Sequence, residues 1–155
     1  MAELQDASPG PADCIFCRIV RGDAPCDPVH EDEHTLTFMD LFPVAEGHTL
    51  IVPKRHYPNL LEADEKSLLA VSANSRRLAL AIRQALGPDG IGVHQLNGAA
   101  AGQTVFHYHM HLIPRNDGDP VTLHGRKQGD PEAMRATAAK IRKALTTLFG
   151  DEPGS

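Results

Sequence analysis

Hydrophobic and polar positions along this chain recur with periods that predict a small sheet and two substantial helices. The clearest pattern lies in EADEKSLLAVSANSRRLALAIRQALGPDG, where apolar or small residues return every three or four positions. This spacing is typical of an amphipathic helix, which buries one stripe of its surface. Asp64 is the expected N-cap residue, and Gly87 followed by Pro88 should end the helix. The stripe consists of Leu68, Val71, Ser75, Leu78, Ile82 and Leu86.

Alternation with a period of two predicts the strands. PVHEDEHTLTFMD indicates two short strands around an acidic turn, and GHTLIVPKRH indicates a third strand that ends at Pro53. IGVHQLN and TVFHYHMHLIPR are two further strands, joined by the loop GAAAGQ. A short helical turn is expected at 14–20, stopped by Gly22, and a final helix from about 131 to 148.

The order β-β-β-α-β-β-α, with short connections between strands, favours antiparallel pairing with helices on one face. We therefore expect an α+β fold, namely a mostly antiparallel five-stranded sheet with one long helix packed on it and a C-terminal helix. A single domain should span residues 13–149, between a disordered leader at 1–12 and a tail at 150–155. Residues 116–130 are weakly patterned and are expected to form a loop.

Composition and charge exclude several classes of protein. The length of 155 residues, with 41% hydrophobic and 23% charged residues, is typical of one soluble globular domain. No apolar run approaches the ~20 residues of a membrane span, and the first residues lack the apolar segment of a secretory signal. The net charge of −5, without a basic block, argues against a nucleic-acid polymer as partner. Three cysteines in such a chain indicate a reducing cytoplasm.

Three of the nine histidines, His107, His109 and His111, occupy alternate positions in TVFHYHMHLIPR. On a strand they would share one face, with successive Cα atoms about 6.6–6.8 Å apart. Adjacent imidazoles can then flank a phosphate-sized group, whereas the outer two, about 13 Å apart, cannot act on one atom. The regular spacing favours a functional cluster over chance. It leaves open a metal site or catalysis by imidazole on an anionic substrate.

The loop NGAAAGQT leads into this histidine segment. Gly98 and Gly102 permit close backbone approach, and Gln103 and Thr104 add neutral hydrogen-bond donors. Beside imidazoles, such a loop suits a phosphate group. On the glycines alone, a plain turn between strands would be the preferred interpretation.

The pair CIFC places Cys14 and Cys17 three positions apart. In a cytoplasmic protein this spacing is typical of a redox pair or half of a zinc site, unless it is incidental. A thioredoxin-type pair would need a βαβ context, which the pattern does not predict. Zinc would need two more ligands. Cys26, beside Pro25, has no apparent partner.

Taken together, HYHMHLI, GHTLIVPKRH and AGQTVFHYHMHLIPR resemble the histidine triad (HIT) family. HYHMHLI is similar to the family signature His-φ-His-φ-His-φ-φ, in which φ is apolar. The resemblance extends from about residue 14 to residue 115, and it is to the bacterial-type, Hint-like branch with an N-terminal CxxC zinc site. It implies a nucleotide hydrolase or transferase acting at the α-phosphate of a purine nucleotide conjugate. That conjugate would be a nucleoside phosphoramidate or a dinucleoside polyphosphate.

The resemblance also implies catalytic roles for particular residues. His109 would be the nucleophile and would form a nucleotidyl-histidine intermediate. His111 and His48 would hydrogen-bond the phosphoryl oxygens. Gln103 and Thr104 would bind the phosphate and the leaving-group side.

A nucleoside pocket is implied in the first half of the chain. Asp40 would accept hydrogen bonds from both ribose hydroxyls, and Asn97 would orient the glycine-containing loop. The apolar wall around the base would consist of Ile15, Phe16, Ile19, Phe38 and Leu41. From the residues alone, these five are equally consistent with ordinary core.

By the same resemblance, His56 and His107 complete a structural Zn²⁺ site with the two cysteines of CIFC. Two thiolates and two neutral imidazoles neutralise the ion and close a tetrahedral site. The ligand set Cys14, Cys17, His56 and His107 would clip the N-terminal turn to the histidine segment. Family members pair as homodimers. The remaining histidines are expected at the surface or at strand edges, namely His30, His34, His94 and His124.

Two other functional classes remain open. One is a non-catalytic module that binds a nucleotide or a protein partner through the same pocket. The other is a catalytic metallohydrolase, which would need carboxylates near the histidines, and the histidine strand has none. The loop and helix at 116–148 depart from the animal phosphoramidase branch of the family, which leaves the leaving group open.

Overall fold

Helices and strands follow one another along the chain in the order α-β-β-β-α-β-β-α. The structure is a computed structural model, which describes residues 11–125 and 127–150. Its helices are α1 (Ile15–Arg21), α2 (Glu65–Leu86) and α3 (Pro131–Phe149). Its strands are β1 (Pro28–Glu31), β2 (Thr35–Met39), β3 (Thr49–Pro53), β4 (Gly90–His94) and β5 (Met110–Arg115). One 3₁₀ turn, Ala99–Ala101, lies between β4 and β5.

The five strands form one sheet in the order β1-β2-β3-β5-β4, and every neighbouring pair is antiparallel. The predicted α+β fold with an antiparallel five-stranded sheet is therefore confirmed. β5 is the last of these five strands along the chain, yet it lies between β3 and β4. In this register Leu50 of β3 stands opposite His111 of β5.

The helix boundaries follow from the predicted caps. The side chain of Asp64 accepts a hydrogen bond from the Ser67 N–H at 2.8 Å, and α2 ends at Gly87 with a left-handed φ of 62°. Asp130 caps α3 in the same way, through the Ala133 N–H at 2.9 Å. The predicted long helix and C-terminal helix are thus confirmed.

The sheet separates two apolar clusters, because side chains along a strand point alternately to its two faces. Helices α2 and α3 pack on one face, where Ile51, Leu78, Ile82, Leu112 and Ile141 are fully buried. Helix α1 packs on the other face, where Phe16 and Ile19 meet Leu36, Phe38, Leu50 and Val52. The expectation that all helices share one face is wrong for α1.

The histidine segment is less regular than its alternation predicts. β5 begins at Met110 rather than at Thr104, so His107 and His109 precede the ladder and only His111 lies within it. The chain bends at residues 105–107. The Tyr108 N–H then donates to the Tyr57 carbonyl at 2.7 Å, which belongs to a loop rather than to a neighbouring strand. Extended chain and strand share the same alternation, so the pattern could not separate them.

The ends of the chain lie largely outside the described residues. The predicted leader falls mainly on residues 1–10 and the tail on 151–155, of which nothing is described. Pro11 accepts a hydrogen bond from the Cys14 N–H at 3.0 Å, so described structure begins just before α1. Among the helices of the described ranges, none combines the length and the apolar character that a bilayer crossing requires.

Candidate active site and metal centre

The ring of His109 is fixed by a backbone carbonyl. His109 Nδ1 donates to the carbonyl oxygen of His107 at 2.6 Å. A carbonyl only accepts, so Nδ1 carries the proton and Nε2 of the neutral ring keeps its lone pair. Burial lowers the pKa of His109, although this hydrogen bond and the charge of Asp40 act in the opposite direction. His109 is therefore a neutral imidazole with a nucleophilic Nε2 at pH 7.

His111 and His48 form a buried imidazole pair. The Val44 N–H donates to His48 Nδ1 at 3.1 Å, so the proton of neutral His48 resides on Nε2. That Nε2 lies 2.9 Å from His111 Nδ1 and 3.3 Å from an Asp40 carboxylate oxygen. His111 thus accepts at Nδ1, and its own proton is on Nε2. Burial lowers the pKa of His48 to about 4 and that of His111 to about 3, so both rings are neutral at pH 7.

A cavity of about 250 Å³ opens beside these rings, on the α1 face of the sheet. The structure brings most of the predicted nucleoside residues into its wall. The predicted residues that line it are Ile15, Phe16, Ile19, Phe38, Asp40, Leu41, Thr104, His109 and His111. Phe16 packs edge-on against the His109 ring, with centroids 5.1 Å apart. His48 is fully buried and contacts the site from behind His111.

Gln103 and Asn97 occupy a different position from the lining residues. Gln103 is buried, its amide nitrogen donates to the Pro58 and Val105 carbonyls, and its side-chain oxygen accepts from Gly98 N–H at 2.8 Å. Asn97 accepts from the Leu60 N–H at 2.9 Å and pairs with the neighbouring Gln95 amide. Both side chains fasten the loop that leads to Thr104. Their predicted contacts with substrate stay predictions.

Sequence patterns did not indicate every residue at the cavity. The additional lining residues are Phe42, Leu50, Val105, His124 and Gly125. Leu50 lies in the predicted third strand, and the register of the sheet places it opposite His111. His124 is exposed, as expected, but it also lines the cavity, with its ring centroid 6.1 Å from that of His111. It comes from the weakly patterned loop before α3, where no motif marks it.

A second cluster gathers Cys14, Cys17, His56 and His107, whose ligand atoms all lie within 4.8 Å of one another. His107 Nε2 donates to the Pro53 carbonyl at 2.8 Å, so its Nδ1 lone pair faces the cluster. That Nδ1 lies 3.5 Å from each cysteine sulfur and 3.2 Å from His56 Nδ1.

These separations fit a closed tetrahedral metal site. Bond lengths of about 2.3 Å to sulfur and about 2.0–2.1 Å to nitrogen place sulfur and nitrogen ligands roughly 3.5 Å apart, and two nitrogens roughly 3.3 Å apart. Cys17 and His107 are buried, so the site is closed to solvent on that side. The cluster joins α1, the chain after β3 and the histidine segment. The four predicted ligands are therefore brought together in a geometry that suits zinc.

Asp40, His48 and His111 also converge within 4.8 Å. The histidine strand itself has no carboxylate, as the sequence indicates, but the end of β2 brings Asp40 to the histidines. However, the Nδ1 lone pair of His48 already accepts a hydrogen bond from the Val44 N–H, and the Nε2 proton of His48 faces His111 and Asp40. This arrangement favours hydrogen bonding over metal ligation at the histidine triad.

Comparison with known proteins agrees with this site. A model of the HIT domain matches residues 21–118. The chain is 40% identical over 138 residues to the protein hit of Bacillus subtilis, a match that covers 86% of this chain and 95% of that protein. It is 43% identical over 136 residues to the Arabidopsis thaliana protein named adenylylsulfatase HINT3, covering 88% of this chain and 66% of that protein.

Solved structures give the same result. A zinc-bound histidine triad family protein from Mycobacterium smegmatis superposes with a TM-score of 0.80 at 37% identity, covering 90% of this chain and 98% of the other. A Hit-like protein from Bartonella henselae, crystallised with an unknown ligand, gives a TM-score of 0.80 at 39% identity, with 86% and 97% covered. The fold, the histidine segment and these matches together establish that the chain belongs to the histidine triad (HIT) family.

Proposed function

We propose that this protein is a nucleotide hydrolase or transferase that acts at the α-phosphate of a purine nucleotide conjugate. One observation carries the proposal, namely the unprotonated Nε2 of His109 at a cavity that also exposes a neutral imidazole, His111. A neutral imidazole whose second nitrogen is fixed by a hydrogen bond is a good nucleophile at neutral pH.

The reaction has two steps in this proposal. His109 Nε2 attacks the α-phosphorus, the new N–P bond forms, and the bond from phosphorus to the leaving group breaks with its electron pair going to that group. A phosphate or sulfate leaves as an anion, and an amine takes up a proton from solvent as it leaves. The ring becomes positively charged, and the hydrogen bond from Nδ1–H to the His107 carbonyl stabilises this charge. Water then attacks phosphorus, loses its proton to solvent, and returns the electron pair of the N–P bond to His109. His111, oriented by His48, donates Nε2–H to a phosphoryl oxygen.

The nucleoside would occupy the part of the cavity lined by Asp40 and the apolar side chains. Asp40, which already accepts from the Phe42 N–H at 2.9 Å, would accept hydrogen bonds from the ribose hydroxyls. The apolar wall on α1 and β2 would enclose the base, and Thr104 would contact the phosphate. Gln103 and Asn97 would contribute by holding the loop that carries Thr104.

The cysteine and histidine cluster would hold one structural Zn²⁺ through Cys14, Cys17, His56 and His107. When bound, the ion supplies a charge-neutral tetrahedral crosslink and takes no part in the attack on phosphorus. We further propose a single domain over residues 13–149, a homodimer, and a cytoplasmic location. The partner is then a small-molecule nucleotide rather than a nucleic-acid polymer or a membrane.

Candidate conjugates are nucleoside phosphoramidates and dinucleoside polyphosphates. The name of the Arabidopsis relative, an adenylylsulfatase, adds a nucleotide–sulfate conjugate to the candidates. In each, the same α-phosphorus is attacked and only the leaving group differs. A panel with one conjugate of each kind therefore tests the chemistry and the preference together.

The decisive variant is His109→Ala, assayed with this panel beside the wild type. Removing the nucleophile should lower kcat/KM by at least about 10³-fold, which corresponds to roughly 4 kcal/mol of transition-state stabilisation. His34→Ala is the matched control, because His34 lies in the turn between β1 and β2, away from the cavity. Its kcat/KM should stay within about twofold of wild type.

Two outcomes would contradict the proposal. Full activity of His109→Ala on every conjugate that the wild type cleaves would show that His109 is not the nucleophile. Binding of a purine monophosphate in a calorimeter, without turnover of any conjugate, would instead favour a non-catalytic nucleotide-binding module.

A further inference from the structure

We propose that His124 is a substrate-contacting residue that binds an anionic group attached to the α-phosphorus on the leaving-group side. The expected ligand is an oxyanion, namely a phosphate or sulfate group that is bonded to the α-phosphate on its leaving-group side. The inference rests on the proposed function, and it adds a fourth imidazole and a leaving-group preference to it. His124 lines the same cavity as His109 and His111 but belongs to the loop between β5 and α3.

Ring contacts place His124 at one end of a continuous row. Phe16 meets His109 with centroids 5.1 Å apart, His109 meets His111 at 4.8 Å, and His111 meets His124 at 6.1 Å. Most of the apolar wall of the cavity clusters with Phe16, namely Ile15, Ile19 and Phe38. If the base lies against that wall and the α-phosphorus at His109, the next group along the row lies beside His111 and His124.

The charge balance of the cavity also favours His124 for an anion. Among the described residues that line it, Asp40 is the only carboxylate, and only histidines can become cationic. His109 and His111 are buried, whereas His124 is exposed to water, where an imidazolium is well solvated. Its Nε2 donates to the Gly102 carbonyl at 2.6 Å. An imidazolium ring has two N–H donors, so while Nε2–H bonds this carbonyl, Nδ1–H is the donor that an oxyanion would meet.

The loop that carries His124 is held in place at several points. Arg115, at the end of β5, donates to the Pro120 carbonyl at 2.9 Å and also to the Thr122 carbonyl. Gly125 packs against the backbone after Asp40 so closely that a Cβ there would lie 2.2 Å from the Phe42 carbonyl oxygen. The position of the imidazole is therefore set by the fold, as a binding residue requires.

The test compares leaving groups. For His124→Ala we expect kcat/KM with adenylyl sulfate, whose leaving group is anionic, to fall by about tenfold, the effect of one charge-assisted hydrogen bond. With an adenosine phosphoramidate of a simple neutral amine, kcat/KM should change by less than about twofold. Val121→Ala, an exposed neighbour in the same loop, is the matched control and should leave both values unchanged. Equal losses on both substrates, or no loss on either, would overturn the assignment.

A binding measurement makes the test independent of turnover. In calorimetry, His124→Ala should lower the affinity for adenosine diphosphate by about tenfold and leave the affinity for adenosine monophosphate unchanged. The reason is that only the diphosphate carries the second anionic group. Gly125→Ala should show the same selective loss, since its Cβ would displace the loop. If Gly125→Ala shows the loss and His124→Ala does not, the imidazole is not the ligand.

The two proposals fail in different ways. A wild type that binds both nucleotides but cleaves no conjugate would overturn the proposed enzymatic function, and the diphosphate comparison would still decide the role of His124. A wild type that binds neither nucleotide would overturn both.

Discussion

Backbone groups set the protonation pattern of the histidines. The His107 carbonyl puts the proton of His109 on Nδ1, the Val44 N–H puts that of His48 on Nε2, and the Pro53 carbonyl puts that of His107 on Nε2. Each ring therefore presents one defined nitrogen: His109 a lone pair to the cavity, His48 a proton to His111, and His107 a lone pair to the cluster of cysteines and His56. Backbone partners persist when neighbouring side chains are substituted, so this pattern is robust to mutation.

The lowered pKa values of His48 and His111 predict how stability depends on pH. Folding keeps both rings neutral, with pKa values of about 4 and about 3, whereas in the unfolded chain they take up protons below about 6.5. The free energy of unfolding should therefore fall as pH decreases from about 6.5 to 4, by about 1.4 kcal/mol per pH unit for each proton bound on unfolding.

Urea denaturation at several pH values measures the slope of the free energy of unfolding against pH. His111→Asn should reduce this slope by an amount that corresponds to at most one bound proton. Aspartates and glutamates protonate around their ordinary pKa values of about 3.9 and about 4.3, so the upper part of this window, above about pH 5.3, reports mainly on histidines. A flat stability curve between pH 4 and 6.5 would show that the buried pair does not titrate as expected.

The sequence indicated some residues of the site and gave no sign of others. Motif spacing indicated His109 and the cysteine pair, and the resemblance to the HIT family implied Asp40. The structure brings His109 and Asp40 to the cavity and the cysteine pair to His56 and His107. Gln103 was also indicated, but its amide is satisfied by three backbone groups, a detail that depends on the loop conformation. His124 reaches the cavity through contacts of backbone carbonyls and a glycine, and such contacts leave no pattern in side-chain type.

At the scale of elements, the stability of α1 depends on the cluster of Cys14, Cys17, His56 and His107. It is only seven residues long, too short to be stable alone, and its N-cap is the Cys14 side chain, which accepts from the Cys17 N–H at 3.4 Å. The same helix carries Phe16 and Ile19 of the apolar wall. The cysteine and histidine cluster and the apolar wall of the cavity are therefore linked through one helix.

Loss of the metal should weaken both stability and nucleotide affinity. We expect about one zinc per wild-type chain by elemental analysis and only traces in Cys14→Ala, because four ligands hold one tetrahedral ion. A stability loss of about 3 kcal/mol would lower the unfolding midpoint by roughly 6–12 °C. The affinity for a purine monophosphate should fall about tenfold as α1 loosens.

Cys26→Ala is the matched control for the zinc experiment. Cys26 packs at the edge of the α1 cluster of apolar residues and lies outside the four-ligand group. Its zinc content should equal that of wild type. Absence of zinc from the wild type, or full zinc content in Cys14→Ala, would contradict the proposed site.

Long amphipathic elements were the most predictable from sequence. Helix α2 has caps at both ends and a continuous stripe, so its bounds follow from local residues. The start of β5 does not, because Val105 to His109 alternate as a strand does while their backbone leaves the sheet to reach the cysteines. The side of the sheet taken by α1 is likewise decided by long-range packing on Phe38 and Leu50.

At the scale of the whole molecule, the main core and the cavity lie on opposite faces of the sheet. The face under α2 and α3 holds the larger apolar cluster, and the α1 face holds the cavity. Helix α3 contributes to the larger cluster through Ala138 and Ile141, both fully buried. It also contacts β1, where Arg142 donates to the Pro28 carbonyl at 2.5 Å. The C-terminal helix is therefore an integral part of the core.

Ile141→Ala should lower the free energy of unfolding by about 2–5 kcal/mol, because it leaves a cavity between α3 and α2. Lys140→Ala, at the preceding exposed position of the same helix, should change it by less than about 0.5 kcal/mol. Chemical denaturation measures both. The kcat/KM of folded Ile141→Ala should stay near wild type, since the change lies on the opposite face from the cavity. An equal effect of the two substitutions would show that α3 is not part of the core.

The strand order also has a consequence for the order of folding. β5 is the last strand to be synthesised, yet it lies between β3 and β4, so β4 has no partner in the sheet until residues 110–115 have left the ribosome. The pairing of β3 with β5 spans about 60 residues of chain, a non-local contact of the kind that slows folding. The same event brings His111 to His48 and His109 to Phe16. Nascent chains that end before β5 thus lack both a closed sheet and the complete cavity, which forms only with the completed fold.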